Sequence, residues 1–121
     1  MDSDGTLMRL SKADFNALLK EPMLSWISLD EANERAAQGG VLLDVRLESE
    51  HSNNGLPGSV NIPLFMLRLK TDSLDPDRVY IVYCDTGRRS SAAAFLLGER
   101  GFETYVLQGG LLEQGLAESA T

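Results

Sequence analysis

One cysteine, Cys84, is all the thiol this 121-residue chain carries, and one histidine, His51, is all its imidazole. A lone cysteine excludes an internal disulfide, so it fits a reducing compartment or a thiol kept free for chemistry. One Cys and one His do not make a zinc site, and no metal or other cofactor is expected. Basic residues are scarce, 11 Lys and Arg against 18 Asp and Glu, for a formal net charge of −7. That balance argues against nucleic acid or an anionic membrane surface as a partner. Residues 1–20 lack the basic start and apolar centre of a secretory signal. No apolar run approaches the ~20 residues needed to cross a bilayer, and a cytoplasmic location is expected. The length suits one domain with one core, large enough to fold without staples.

What the sequence does have is an alternation of strand and helix signals from residue 25 onward. "SWIS" (25–28) is β-prone. "LDEANERAAQGG" follows with early acids, spaced apolar positions and a Gly39–Gly40 stop, a helix pattern. "VLLDV" (41–45) is a continuous apolar run ending in an acid, the pattern of a strand buried on both faces. "NNGLPGSVNIP" (53–63) is turn chemistry with a short strand near Val60 and Ile62. "LFMLRLK" (64–70) has helical spacing, and a second buried strand spans Val79–Tyr83. "SSAAAFLLGERG" (90–101) reads as a helix closed by Gly101, "FETYVL" (102–107) as a last strand, and the segment after it as a short helix. The alternation predicts an α/β domain, a central parallel sheet of about five strands with helices on both faces. Trp26 is expected in the core.

Residues 1–24 break this rhythm. They read as a turn and an amphipathic helix carrying Leu10, Phe15, Leu18 and Leu19 on one side. Such a helix either packs on the domain or is the tail of a preceding one. The stretch "DGTLMRLSKADFNALLKEP" resembles the end of a bacterial cyclic-nucleotide-binding domain. That resemblance implies a longer parent chain with such a domain as a covalent partner, a boundary near residue 24, and a second domain over 25–121.

The chemistry concentrates in "YCDTGRRSSAAAFLL" (83–97). In an open α/β sheet, ligands bind beyond the carboxyl ends of strands, often at a helix N-terminus. Cys84 lies at such an end, and Asp85, Thr86, Gly87, Arg88 and Arg89 must turn back before Ser90 and Ser91 open a helix. Gly87 supplies conformational freedom, and successive N–H groups can form an anion-binding nest around Cys84. Amide donors, the positive helix end and the arginines all favour an anionic, nucleophilic sulfur. A single Cys is often just a small buried hydrophobe, but these neighbours are polar company for a core residue.

Two thiol chemistries compete. Cysteine phosphatases need C-x5-R, a loop wide enough for a tetrahedral phosphate gripped by the arginine. Here Arg88 and Arg89 follow at C-x3-R and C-x4-R and position 90 is serine, so the cradle is one residue tighter. A narrower loop suits a single sulfane sulfur.

At this point the sequence resembles the rhodanese-type sulfurtransferases. "YCDTGRRSSAAAFLLGERGFETYVLQGGL" is similar to their active-site segment, C-x-x-G-x-R-S followed by alanines, G-F and G-G. "VLLDVRLESEHSNNGLPGSVNIPL" is similar to their other signature, D-V-R, an acid four residues on, P-G and N-I-P. The resemblance implies a rhodanese-like fold in which Cys84 cycles between thiolate and persulfide. It implies a six-residue catalytic loop, Cys84 to Arg89, with Asp85, Thr86, Gly87, Arg88, Arg89 and Ser90 as substrate-binding positions. It implies Asp44, Arg46 and Glu50 as supports that brace the loop by hydrogen bonds and an ion pair.

The chain also departs from the pattern. Its counterpart of G-H-I-P-G begins Asn54-Gly55-Leu56-Pro57-Gly58, without the histidine, and no tryptophan follows the final G-G. His51 stands where an aromatic usually stands and reads as a surface or packing residue. The expected reaction takes sulfur from a small anionic donor such as thiosulfate or a persulfide, with Arg88 and Arg89 holding the anionic leaving part, and passes it to a thiol or cyanide. Two alternatives stay open: a non-catalytic interaction or sulfur-sensing module of a signalling protein, and a cysteine-dependent phosphatase or arsenate reductase.

Overall fold

A computed structural model describes residues 24–116, so the amphipathic segment and the proposed boundary near residue 24 fall almost wholly outside the described residues. Five strands form one sheet: β1 (Trp26–Ile27), β2 (Val41–Asp44), β3 (Val60–Asn61), β4 (Val79–Tyr83) and β5 (Glu103–Leu107). Their spatial order is β1-β5-β4-β2-β3, and every neighbouring pair is parallel. Parallel neighbours need crossovers, and helices supply them: α1 (Leu29–Ala37), α2 (Glu48–Asn54), α3 (Leu64–Lys70) with a 3-10 turn at Thr71–Ser73, and α4 (Arg88–Glu99). A one-turn helix, α5 (Gly110–Glu113), follows β5.

The apolar runs explain the two layers. Successive residues of a strand point to opposite faces, so Leu43 and Val82 pack under α3 and α4 with Leu67, Ala93, Ala94 and Leu97. Leu42, Ile81 and Tyr83 pack on the other face with Ala32 of α1 and Leu111 of α5. Each fully buried large aliphatic side chain contributes about 1.5–3 kcal/mol, and this double burial makes β2 and β4 the middle of the fold. α1 begins where the Ser28 side chain accepts from the Glu31 N–H at 3.2 Å, with Asp30 and Glu31 in its first turn.

Two elements differ from the sequence reading. α4 starts at Arg88, not at Ser90, because Gly87 takes a left-handed conformation (φ +108°) and its carbonyl already accepts from the Ser91 N–H at 2.9 Å. Arg88, Arg89 and Ser90 are therefore the first helical turn. The second difference is α2, which the apolar pattern does not reveal: its sequence ESEHSNN has no apolar side chain, and none of its residues is buried.

Candidate active site

β4 is the central strand, and Cys84 is the first residue beyond its carboxyl end. The Cys84 residue is only 1% exposed and belongs to the same core cluster as Val45 and Ala93. Its sulfur is nonetheless met by polar groups. The Gly87 N–H donates to Sγ at 3.1 Å, the Ser90 N–H at 3.4 Å, and the Ser90 hydroxyl lies 3.4 Å away. Core burial and an amide nest, set against each other in the sequence, coexist here: the cysteine forms the floor of the loop and the amides form its wall. Ser91 tightens the turn by donating its hydroxyl to the Gly87 carbonyl.

The loop is anchored from outside. The N–H groups of Leu111 and Leu112 donate to the carbonyls of Cys84 (2.9 Å) and Asp85 (2.8 Å), so the start of α5 holds the loop's backbone. Gly110 makes this approach, at φ +63°; a Cβ there would collide with the backbone of Asp85 and the Cys84 carbonyl. Trp26 is not in the core. It is 46% exposed, and its indole lies beside Gly87, with Cζ3 at 3.5 Å from where a Cβ would stand.

Beneath the loop lies a chain of charges. Asp44 is fully buried and accepts from the Arg46 N–H (2.9 Å), from its Nε (3.0 Å to Oδ1) and from NH2 (2.8 Å to Oδ2). Arg46 NH1 reaches onward to Asn54 Oδ1 (2.7 Å) and to Asp85 Oδ1 (3.0 Å), the residue next to Cys84. Burial alone would push the Asp44 carboxyl up, but the bonds from Arg46 and from His51 hold it below the usual carboxylate range. Burial would likewise lower Arg46, yet its bonds to Asp44 and its proximity to Asp85 raise it instead.

The arginines of the loop part company. Arg89 faces Glu50, NH1 to Oε1 at 2.8 Å and NH2 to Oε2 at 3.1 Å, with Asp85 Oδ2 at 3.6 Å. The Arg89 guanidinium, with help from the Leu47 N–H, holds Glu50 down to about 2 despite partial burial. The fork of Arg89 is thus paired with Glu50, the acid that the resemblance implies as a brace of the loop. Arg88 is exposed and makes no ion pair among the described residues. Thr86 is exposed, and its hydroxyl accepts from the Arg88 N–H at 3.4 Å.

Sequence reasoning missed His51 and Asn54. His51 Nδ1 lies 2.9 Å from Asp44 Oδ2, so it joins the network rather than serving as mere packing. Asn54 links Arg46 to the Leu116 carbonyl (3.0 Å). Both sit on α2, whose position the apolar pattern did not give.

The sequence profile of the rhodanese-like domain matches residues 28–114. The chain belongs to the rhodanese-like domain family. Among relatives of this rhodanese-like domain, a sulfurtransferase of Allochromatium vinosum is 25% identical over 93 residues, covering 74% of this chain and 87% of that protein. A tRNA sulfurtransferase of Thermoplasma acidophilum is 32% identical over 81 residues, 64% of this chain but only 16% of that longer protein. The crystal structure of a rhodanese-related protein from Thermoplasma volcanium superposes with a TM-score of 0.69 at 32% identity, covering 78% of this chain and 96% of that one. These likenesses agree with the five-stranded α/β fold and set the chain among rhodanese-like domains whose relatives include proteins named sulfurtransferases. Among the described residues, no helix is long and apolar enough to cross a membrane.

Proposed function

We propose that this rhodanese-like domain transfers sulfane sulfur through a persulfide on Cys84. In the first half-reaction the Cys84 thiolate attacks the outer sulfur of a donor such as thiosulfate. A new S–S bond forms on Cys84, the donor's S–S bond breaks, and its electron pair leaves with sulfite. In the second, cyanide or a thiol attacks the outer sulfur, and the S–S electrons return to Cys84 as thiolate. This two-step exchange is ping-pong.

The observation that carries the reading is the convergence of the Gly87 and Ser90 amides on one sulfur atom at the start of α4. Fixed donors of this kind stabilise charge as it moves onto sulfur, without reorganising at the moment of reaction. The tight loop supports transfer of a single sulfur, and exposed Arg88 beside the helix start supports attraction of an anionic donor. Asp44 and Arg46 act in this reading as positioning residues, since Arg46 fixes Asp85 next to the nucleophile.

The test is mass spectrometry of the protein after thiosulfate treatment. The peptide containing Cys84 should gain the mass of one sulfur atom, and Cys84→Ser should gain none. The serine keeps an acceptor for the two amides, so the variant should stay folded. Thiocyanate formation from thiosulfate and cyanide that persists in Cys84→Ser would refute the proposal.

A further inference from the structure

Three cationic side chains surround the Cys84 loop, and three carboxylates meet them. Arg46 is held by Asp44, Asp85 and the Asn54 amide oxygen. Arg89 is held in a two-pronged pair by Glu50, with Asp85 behind it. Of these three, Arg88 alone has no carboxylate partner among the described residues. The site is thus close to electroneutral, on a chain whose formal net charge is −7. A doubly charged donor gains little from such a field.

Glu50 is well placed to keep that balance. Its Oε1 also accepts from the Leu47 N–H at 2.9 Å, so backbone and guanidinium together fix the carboxylate. Held down to about 2, it is ionised at every physiological pH. Arg89 lies with Arg88 in the first turn of α4, which opens directly after the Cys84 loop. A planar guanidinium binds one carboxylate-like or sulfonate-like anion by its fork, and Glu50 already fills that fork.

We propose that Glu50 is a specificity-determining residue: it occupies Arg89 in place of a donor's anionic group and thereby biases the site against dianions, toward singly charged or neutral sulfane donors such as organic thiosulfonates and persulfides. This rests on the sulfur-transfer reading above and specifies its donor class. No covalent step changes; only the affinity for the donor's non-transferred part does.

Glu50→Gln tests it, with steady-state kinetics on two donors that differ by one charge, thiosulfate and methanethiosulfonate, and cyanide as acceptor. KM for thiosulfate should fall about fivefold, the upper end of what a partly exposed ion pair is worth. KM for methanethiosulfonate should change by less than about twofold, and kcat for both should hold. A residue that merely positioned Arg89 would not separate donors by charge. Unchanged or raised KM for thiosulfate, or equal falls for both donors, would overturn the proposal. Should Glu50→Gln not fold, Glu50→Ala gives the same comparison. If neither donor places sulfur on Cys84 even in the wild-type protein, the transfer reading itself has failed and the donor preference with it; sulfur loading without the charge split refutes the donor preference alone.

Discussion

The backbone N–H of Gly87 points at the sulfur of Cys84 from 3.1 Å, and it can do so because Gly87 holds a φ of +108°. Gly87→Ala has room for its methyl group, which meets only the Trp26 ring at 3.5 Å. The cost falls on the backbone, about 1–2 kcal/mol for a side chain in that region. Stability should drop by that amount in denaturant melts. If the peptide relaxes, one amide leaves the sulfur, and alkylation of Cys84 by iodoacetamide at about pH 6 should slow several-fold, since only the anionic sulfur reacts. An undiminished labelling rate would show that the amide does not activate the cysteine.

Gly110→Ala should be worse, and for a different reason. Here the added carbon runs into the backbone of Asp85 and the Cys84 carbonyl, which are not flexible ends able to swing away. Strain and crowding together should cost about 3 kcal/mol, a loss of roughly 10 °C or more in Tm. Sulfur loading of Cys84 should fall with it, because the Leu111 and Leu112 amides lose their hold on the loop. A near-native Tm would contradict this packing.

Acid should loosen the site in a defined window. Glu50 titrates near 2 in the folded protein against an ordinary value of 4.5. A depressed folded value means the stabilisation is complete above the ordinary value and is lost as pH falls from about 4.5 toward about 2. Asp44, also lowered, acts in the same direction. Wild-type Tm should decline across that window, and Glu50→Gln should show a shallower decline while being less stable at neutral pH. Parallel curves for the two proteins would rule out Glu50 as a source of the slope.

The sheet is legible because β2 and β4 are apolar runs bounded by turn residues; the limits of β4 follow from that, while β2 ends at Asp44, one residue before the apolar run does. Cys84 was legible from its neighbours, Gly87 and the two arginines. The links between distant residues were not. Arg89 meets Glu50 and Arg46 meets Asp85 across 39 positions of sequence, and spacing carries no sign of either. The resemblance to rhodanese-type proteins pointed to Glu50 as a brace, but not to its filling the fork of Arg89. Trp26, expected in the core, sits on the edge strand β1, where it lies against the loop, half in solvent. His51 and Asn54 were hidden by α2, since a helix of wholly polar composition has no amphipathic period to detect.

That polar helix has a consequence for the behaviour of the molecule in different media. α2 reaches the body through Glu50, His51 and Asn54, that is, through an ion pair and hydrogen bonds to charged partners. Dissolved counterions screen the partly exposed Glu50–Arg89 pair most, while the bonds from His51 and Asn54 to the buried Asp44 and Arg46 are screened far less. Ionic strength therefore acts first on the clasp between Glu50 and Arg89, at the outer edge of the cysteine loop, while the inner bonds keep the helix seated.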